Sequence, residues 1–227
     1  MENNKRPEKL SRFMDFRQVN KSDSYFLVLA PLIEALKSSI SQYANGKVLD
    51  IGCGNKPYQE LFAHCENYLG CDVVQSSENL VDIICDASSI PLADLSMDTV
   101  VSTQTIEHVA DYRGMLGEAF RILKKGGIMI LSGPMYWHIH EAPHDYYRFT
   151  KFGFQYILEN AGFEIVEINP NGGKWALFGQ MVIHTLPQEI VRRKWFRKWN
   201  NRFFHWLDKK YFDDVNTTNY VVVAKKC

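Results

Sequence analysis

One short segment constrains the fold of this chain more than any other. It reads Val48-Leu49-Asp50-Ile51-Gly52-Cys53-Gly54-Asn55, an apolar run that ends in a Gly-x-Gly turn. The apolar run is typical of a buried strand, and glycines, which lack a Cβ, let the backbone approach a nucleotide closely. The segment therefore predicts an α/β sheet with a ligand at the carboxyl end of this strand.

Strand and helix patterns alternate along the chain after Lys47. Runs rich in β-branched and apolar residues predict strands at 47–51, 68–74, 82–85, 99–102, 127–132, 164–169 and 220–224. Apolar residues three and four apart predict one helix over 112–123, stopped by Gly126 and Gly127, and another over 154–161. This alternation predicts a mostly parallel sheet that is covered on both faces.

The two ends of the chain depart from this alternation. We expect residues 1–46 to form a polar leader and a helix that caps the site, with Ser22, Asp23 or Ser24 as the N-cap of a helix running to about Tyr43. The main domain then covers residues 47–227. About fifty residues, 170–219, separate its last two predicted strands, which is too long for a hairpin and indicates an insertion with structure of its own.

Charge and cysteine content exclude several classes of protein. The 26 Lys and Arg residues balance 26 Asp and Glu residues, and this neutrality argues against nucleic acid as a partner. The five cysteines form no C-x-x-C pair, so neither a disulfide framework nor a zinc ribbon is indicated. The longest apolar run, 25–33, is far shorter than the ~20 residues that span a bilayer. We expect a cytoplasmic protein with one main domain.

An acidic residue follows the glycine turn at a distance that suits nucleotide binding. Asp72 lies eighteen residues after Gly54, where a second predicted strand ends, and its carboxylate can accept both ribose hydroxyls. A dinucleotide site favours a third glycine, but Pro57 occupies that position, so a nicotinamide cofactor is the weaker alternative. Taken singly, each glycine or aspartate also fits an ordinary turn or strand end.

Two further segments make the pattern specific: Asp86-Ala87 after the third predicted strand and Glu107-His108-Val109 after the fourth. With them, the stretch from about Val48 to Phe163 resembles the class I S-adenosylmethionine-dependent methyltransferases, in particular their small-molecule, ubiquinone-biosynthesis-like branch. The resemblance implies a Rossmann-like seven-stranded sheet with an antiparallel last strand. It also implies S-adenosylmethionine as the cofactor and S-adenosylhomocysteine as the product.

The resemblance carries cofactor contacts over to ten positions of this chain. They are Asp50, Gly52, Cys53, Gly54, Asp72, Asp86, Ala87, Ser102, Thr103 and Gln104. The first four would wrap the methionine and sulfonium end, and Asp72 would take the ribose. Asp86 and Ala87 would meet the adenine, and the last three would face the methionine amine and the methyl group.

A histidine-rich loop follows the fifth predicted strand, at 133–150. It holds three of the seven histidines, His138, His140 and His144, and should line the mouth of the cleft. Histidine titrates near neutral pH, so His140 or His144 can take the proton of a hydroxyl acceptor. The alternatives are histidines that are exposed or bonded to a neighbour such as Asp145, and a zinc site on all three.

Two other segments lie near the predicted cleft. The stretch from His144 to Thr150 resembles a segment of these methyltransferases in which Asp145 and Arg148 would pair to shape the loop. The segment Gln104-Thr105-Ile106-Glu107-His108 is similar to the E-x-x-E-H pattern of ubiquinone-type O-methyltransferases, which use a divalent ion. Because Gln104 replaces the first acid, we expect no metal there. Glu107 and His108 would form a helix-terminus pair or a wall of the site.

The insertion ends in a basic, aromatic segment. Residues 188–210 contain eight bases and two acids, interleaved with tryptophans and phenylalanines near helical spacing. Such a helix can pack on its own domain, lie on an anionic membrane surface or hold an anionic or lipid-linked acceptor. The sequence leaves these three alternatives open.

The activity predicted from this pattern is methyl transfer from S-adenosylmethionine to an oxygen of a small metabolite, a glycan or a lipid-linked acceptor. The N-P-P-Y motif of enzymes that methylate nucleic-acid amino groups is missing after the fourth predicted strand, where the chain reads Ser102-Thr103-Gln104-Thr105. The main alternative is a catalytically silent cofactor-binding sensor or partner subunit.

Overall fold

Seven strands form one sheet in the order β3-β2-β1-β4-β5-β7-β6 in a computed structural model that describes residues 19–227. The strands are β1 (Lys47–Ile51), β2 (Asn67–Asp72), β3 (Ile83–Ile84), β4 (Met97–Thr103), β5 (Leu123–Pro134), β6 (Phe163–Asn171) and β7 (Asn219–Lys226). The helices are α1 (Phe26–Tyr43), α2 (Tyr112–Ile122), α3 (Lys151–Asn160), α4 (Lys174–Thr185), α5 (Gln188–Val191) and α6 (Lys194–Lys210). The leader predicted over residues 1–18 lies outside the described residues.

The pairing of the strands confirms the predicted sheet. β1 lies between β2 and β4 and runs parallel to both, and β3 and β5 extend this parallel set at its two sides. The last strand, β7, runs antiparallel to both β5 and β6. The carboxyl ends of β1, β2 and β4 therefore meet at one edge of the sheet, the edge at which open α/β sheets bind ligands.

Apolar side chains cover both faces of the sheet. On one face, Leu32, Leu36 and Ile40 of α1 pack with Val48 of β1 and Val101 of β4. On the other face, α2 and α3 pack against a second set of buried strand side chains, which includes Leu49 and Ile51. Because side chains along a strand alternate between faces, neighbouring residues of β1 serve the two cores.

The alternation of strand and helix patterns does not hold for one half of the sheet. Between β1 and β2 there is only a short 3-10 helix, Gln59–Phe62, and the described residues between β2 and β4 form no helix. The segments are too short for a full crossover helix. α1, which precedes the sheet in sequence, covers that face instead.

Two predicted helix ends also differ from the structure. α1 begins at Phe26 after Tyr25, with no side-chain cap, because Asp23 Oδ2 accepts a hydrogen bond from the Asn20 backbone N–H (2.6 Å) instead. α2 ends at Ile122, before the predicted glycine stop, because the next residue already pairs with β4 as the start of β5. Gly126 still adopts a positive φ of 76°, but within β5.

The insertion between β6 and β7 contains α4, α5 and α6. Asp208 of α6 accepts hydrogen bonds from the backbone N–H groups of Gly173, Trp175 and Ala176 at 3.0 to 3.2 Å. These donors lie at the start of α4, where helical N–H groups have no partner within the helix. One buried carboxylate thus joins the two long helices of the insertion.

Candidate active site

A cleft lies at the carboxyl ends of β1, β2 and β4. It consists of two adjoining cavities, of about 1340 Å³ and 740 Å³ when the space open to solvent is counted. Gly52, Asp72 and Thr105 line both cavities, so the two form one continuous groove. Its position is the one that the Gly-x-Gly segment predicts.

The turn after β1 requires a glycine at its first position. Gly52 has a φ of 77°, and a Cβ there would lie 2.3 Å from Thr105 Oγ1, far inside van der Waals contact. Gly54 also has a positive φ, and its N–H donates a hydrogen bond to Asp72 Oδ2 at 3.2 Å. The missing side chains keep the groove open beside this turn.

Asp72 is the last residue of β2 and faces the same groove. It is 4% exposed, and its Oδ1 accepts a hydrogen bond from the Val73 N–H at 2.7 Å. Together with the Gly54 contact, this bond fixes the carboxylate at the junction of the two cavities. Asp72, the residue predicted to bind the ribose, is therefore held where a pair of hydroxyls in the groove can reach its carboxylate.

The smaller cavity contains the pair predicted to meet the adenine. Asp86 Oδ1 accepts hydrogen bonds from the N–H and Oγ of Ser88 at 2.9 and 2.8 Å, which closes a tight turn after β3. Ala87 is 8% exposed and lines the cavity beside it. The turn thus presents a small apolar side chain at the wall of the cavity.

Two of the ten predicted cofactor residues, Asp50 and Ser102, line neither cavity with their side chains. Asp50 is 1% exposed beneath the glycine turn, where the Tyr68 hydroxyl donates a hydrogen bond to it. Burial raises the pKa of Asp50 to about 7, although the Tyr68 hydrogen bond opposes the shift. Ser102 Oγ donates to the Ile51 carbonyl at 2.9 Å. Both residues support the end of β1 from within the sheet.

Thr103 and Gln104, in contrast, line the larger cavity. Gln104 adopts a φ of 50°, which is uncommon for a residue other than glycine. Ser132 of β5 holds this conformation, because its carbonyl and Oγ each accept from the Gln104 N–H at 3.2 Å. Uncommon backbone conformations of this kind concentrate at functional sites.

Asp145 and Arg148 organise the histidine-rich loop, as predicted. Arg148 donates from Nη1 and Nη2 to the two oxygens of Asp145 at 2.6 and 2.8 Å, and Nη2 also donates to the His138 carbonyl at 2.9 Å. Burial favours protonation of Asp145, but the Arg148 hydrogen bonds outweigh it and hold the pKa of the carboxyl below its usual range. Asp145 therefore remains ionised within the loop.

The structure brings only one of the two candidate bases to the cleft. His140 lines the larger cavity, with its Nδ1 3.3 Å from Asp145 Oδ2. Its pKa is lowered, chiefly by burial and further by His108, so the ring is neutral at pH 7. The His144 ring lines neither cavity and lies against the Tyr146 hydroxyl at 3.1 Å. The interpretation of His144 as a base at the cleft is therefore not supported.

His108 faces His140 across the cavity wall, with the two Nε2 atoms 3.1 Å apart. The other ring nitrogen of His108, Nδ1, lies 2.7 Å from the His144 carbonyl. A carbonyl only accepts, so Nδ1 carries the proton and Nε2 of a neutral His108 presents a lone pair. A neutral His140 must then donate from Nε2, which leaves its Nδ1 lone pair facing the Asp145 carboxylate. The lone pair and the carboxylate repel each other. A proton on Nδ1 or a cation between the two groups would remove this repulsion.

Glu107 lies beside the two histidines in the short 3-10 helix Ile106–His108. It is 1% exposed, its carboxylate oxygens have no hydrogen-bond partner among the described residues, and burial raises its pKa to about 8. Ligand atoms of Glu107, His108 and His140 lie within 4.8 Å of one another, so these three residues can hold a divalent cation. They replace the histidine trio that the sequence suggested as a zinc site.

Residues at the start of α1 supply a wall of the cleft. Tyr25, Val28, Leu29 and Leu32 line the larger cavity, opposite the histidine-rich loop. The Tyr25 ring packs edge-on against Trp137, with centroids 5.8 Å apart. The sequence predicts a helix in this region that caps the site, but it does not single out these four residues.

A comparison with protein families decides the class of this domain. Residues 49–131, from β1 to β5, match the family model described as a methyltransferase domain. These residues form a methyltransferase domain. The match includes the glycine turn and Asp72, and it ends before the histidine-rich loop. The matched residues thus include the glycine turn, Asp72 and His108, whereas His140 and the wall formed by α1 lie outside them.

Relatives of known name agree with this assignment. A probable S-adenosylmethionine-dependent methyltransferase of Mycolicibacterium smegmatis is 34% identical over 100 residues, which is 40% of this chain and 39% of that protein. A ubiquinone biosynthesis O-methyltransferase of Dinoroseobacter shibae is 26% identical over 167 residues, 58% of this chain and 67% of that protein. The matched part of the chain therefore spans only about two fifths of the Mycolicibacterium protein.

Solved structures share the fold over nearly the whole chain. The cyclase SpnF superposes with a TM-score of 0.59 at 17% identity, covering 92% of this chain and 85% of its own. A likeness at this level of identity shows the fold alone, and a fold does not specify a reaction. The activity must be argued from the cleft.

Proposed function

We propose that this chain is an S-adenosylmethionine-dependent methyltransferase that transfers the methyl group to an oxygen of a small metabolite, a glycan or a lipid-linked acceptor. One observation carries the proposal. A single groove joins the glycine turn and Asp72, which belong to the methyltransferase domain, to His140 and its ionised partner Asp145. The likeness to a ubiquinone biosynthesis O-methyltransferase supports oxygen as the attacking atom.

The cofactor half of the groove fits S-adenosylmethionine in three respects. The turn at Gly52 leaves space that a Cβ would fill, Asp72 offers a carboxylate for the ribose hydroxyls, and Ala87 offers an apolar wall for the adenine. When bound, S-adenosylmethionine supplies an electrophilic methyl carbon on a sulfonium. The contribution of the chain is to position that group and to exclude water, which can lower the barrier by several kcal/mol.

The acceptor half of the groove combines an apolar wall with a proton acceptor. Val28, Leu29 and Leu32 of α1 give this part of the cavity an apolar lining, and α1 thereby acts as the predicted cap over the site. As the acceptor hydroxyl attacks, Nδ1 of His140 takes its proton, because Nε2 of each ring is engaged in the His108–His140 hydrogen bond. His140 then becomes an imidazolium whose Nδ1 faces the Asp145 carboxylate at 3.3 Å, and this contact stabilises the new charge.

Calorimetric titration of the full chain with S-adenosylmethionine, S-adenosylhomocysteine and NAD tests the cofactor. We expect binding of the first two and none of NAD, because Pro57 stands in place of the third glycine of a dinucleotide turn. Binding of NAD alone would overturn the proposal.

A transfer assay with methyl-labelled S-adenosylmethionine over hydroxylated metabolites, glycans and lipid-linked alcohols then tests the reaction. Label should appear in at least one hydroxylated acceptor, and His140→Ala should lose transfer while keeping cofactor affinity. Cofactor binding without transfer to any acceptor would instead support a silent cofactor-binding protein.

A further inference from the structure

Helix α6 buries one stripe of side chains and leaves its tryptophans outside that stripe. Phe196 and Phe204 pack in apolar clusters of the domain, and Asn200 and Asn201 are completely buried beside them. The exposed fractions of the three tryptophans are 64% for Trp195, 58% for Trp199 and 54% for Trp206. Packing on its own domain, one of the three alternatives left by the sequence, therefore holds for the buried stripe of α6 and leaves its tryptophans unexplained.

Hydrogen bonds explain why α6 keeps this orientation. Asn201 Nδ2 donates to the carbonyls of Lys21 and Asp23 at 3.0 and 2.8 Å, and Asn200 Nδ2 donates to the Gly179 carbonyl at 3.1 Å. Asp208 caps the start of α4 from the same side of the helix. Rotation of α6 to bury the tryptophans would break these bonds and leave buried carbonyl and N–H groups without partners, at a cost in stability for each.

The outward side chains form a continuous aromatic ridge, which we define as Trp195, Trp199, Phe203 and Trp206. The rings of Trp199 and Phe203 stack at 5.6 Å and 2°, and Trp206 follows at 6.4 Å from Phe203. Tyr211 and Phe212, just beyond the helix, are each about half exposed as well. Within residues 19–227 these rings remain open to solvent, and an exposed apolar surface of this kind marks an interaction site.

Basic side chains flank the aromatic ridge. Lys194, Lys198 and Arg202 are exposed on successive turns of α6, and Lys210 lies over the Trp206 ring at 5.3 Å. Of the two acids in residues 188–210, Asp208 is buried in the cap of α4, so the outward charge is strongly positive. Residues 1–18 carry five bases and three acids, so that segment does not complement this charge. A partner that fits this surface must offer both negative charge for the bases and an apolar region for the aromatic ridge.

We propose that the aromatic ridge and its flanking bases bind the surface of an anionic lipid bilayer. Tryptophan favours the boundary between headgroups and acyl chains, and bases beside it attract anionic headgroups. None of the helices among residues 19–227 combines the length and hydropathy needed to cross a bilayer. The proposed contact is therefore peripheral, and it goes beyond methyl transfer because it rests on α6 alone.

Co-sedimentation of the full chain with vesicles tests the proposal. Vesicles of pure phosphatidylcholine are compared with vesicles containing phosphatidylglycerol, at about 0.05 M and 0.5 M salt. We expect binding to the anionic vesicles at low salt, little to the neutral ones, and loss at high salt because the Debye length shrinks. Binding should also shift the tryptophan emission to shorter wavelength, since three of the five tryptophans lie on the ridge.

Two variants and two matched controls localise the contact. Trp195→Ala with Trp199→Ala should weaken binding at least tenfold. Lys194→Glu with Lys198→Glu and Arg202→Glu should weaken it by about 100-fold or more, because the loss of each base alone costs about fivefold and the introduced acids add repulsion. The controls are Phe152→Ala with Tyr156→Ala, which removes two exposed aromatic rings of α3, and Lys125→Glu with Lys151→Glu, which reverses two exposed bases elsewhere. Controls should bind like the parent.

Three results would overturn the proposal. They are an absence of vesicle binding, equal loss in ridge and control variants, and ridge tryptophans that are already shielded from iodide quenching in the free protein. The last result would mean that another part of the chain or a second copy covers the ridge. Circular dichroism and melting temperature verify that each variant is folded, which the exposure of the substituted side chains leads us to expect.

Discussion

Asp50→Asn tests whether a buried carboxyl group beneath the glycine turn makes the stability of this protein depend on pH. Asp50 is 1% exposed, the Tyr68 hydroxyl donates to its Oδ2, and its Oδ1 has no partner among the described residues. Burial disfavours the charged carboxylate and raises the pKa to about 7, compared with 3.8 for a free side chain. Between pH 3.8 and about 7, the folded protein therefore holds a proton on Asp50 that the unfolded chain has already released.

The sign of the effect follows from this difference. The stabilising contribution of Asp50 is complete below pH 3.8, where both states are protonated, and is lost as the pH rises through about 7. A difference of about three pKa units corresponds to about 4 kcal/mol. Because asparagine does not titrate, Asp50→Asn should remove this pH-dependent component of stability. Between pH 4 and pH 8, the free energy of unfolding of the parent should therefore fall by up to about 4 kcal/mol more than that of the variant.

Urea unfolding at pH 4.5, 6.0 and 7.5 measures this difference. Asp214→Asn is the matched control, because Asp214 is exposed and its removal should leave the pH dependence of the parent intact. Tyr68→Phe removes the hydrogen bond to the carboxylate, so it should cost more stability at pH 7.5 than at pH 4.5. Curves of stability against pH that run parallel for the parent and Asp50→Asn would refute the reasoning.

Three further predictions concern the cleft. Asp72→Ala should weaken S-adenosylhomocysteine binding at least tenfold in calorimetry, because ribose hydroxyls lose a buried acceptor worth ~1 to 3 kcal/mol; unchanged affinity would contradict the ribose assignment. His140→Ala should lower turnover by ~10² with nearly unchanged cofactor affinity, whereas His144→Ala should turn over like the parent, and the reverse outcome would move the base to His144. Gly52→Ala should lower both melting temperature and cofactor affinity, because its Cβ would lie 2.3 Å from a neighbouring hydroxyl oxygen; a variant with parental values would contradict the need for glycine.

The sheet could be predicted from sequence because most of its strands are short apolar runs with clear ends. The bounds of β1 match the prediction residue for residue. Strand pairing makes β4 and β5 longer than predicted, and β2 ends two residues earlier than predicted, at Asp72. The role of α1 could not be predicted in the same way. No local pattern shows that a helix before the sheet, and not the segments between β1 and β4, covers one face, because that choice depends on packing across distant parts of the chain.

The predicted site residues fall into two groups, according to their position relative to the ends of the strands. Residues at or beyond strand ends, such as Asp72 and Thr103, reach the cleft as predicted. Asp50 and Ser102 precede the last residues of their strands by one position. Their side chains are therefore buried within the fold and do not reach the cleft. His140 and His144 are four residues apart in one loop, and only the contacts of Asp145 and Arg148 decide which of them faces the cavity.

The aromatic ridge and the cleft are joined through the segment that precedes α1. Asn201 holds the carbonyls of Lys21 and Asp23, and Gln180 of α4 donates to the Ser24 carbonyl at 3.0 Å. The next residue is Tyr25, whose ring lines the cleft. A bilayer bound at α6 and an acceptor bound in the cleft would thus act on one short segment. If that segment has two arrangements, thermodynamic linkage requires each ligand to change the affinity for the other by the same factor; if it has one, the two bindings are independent.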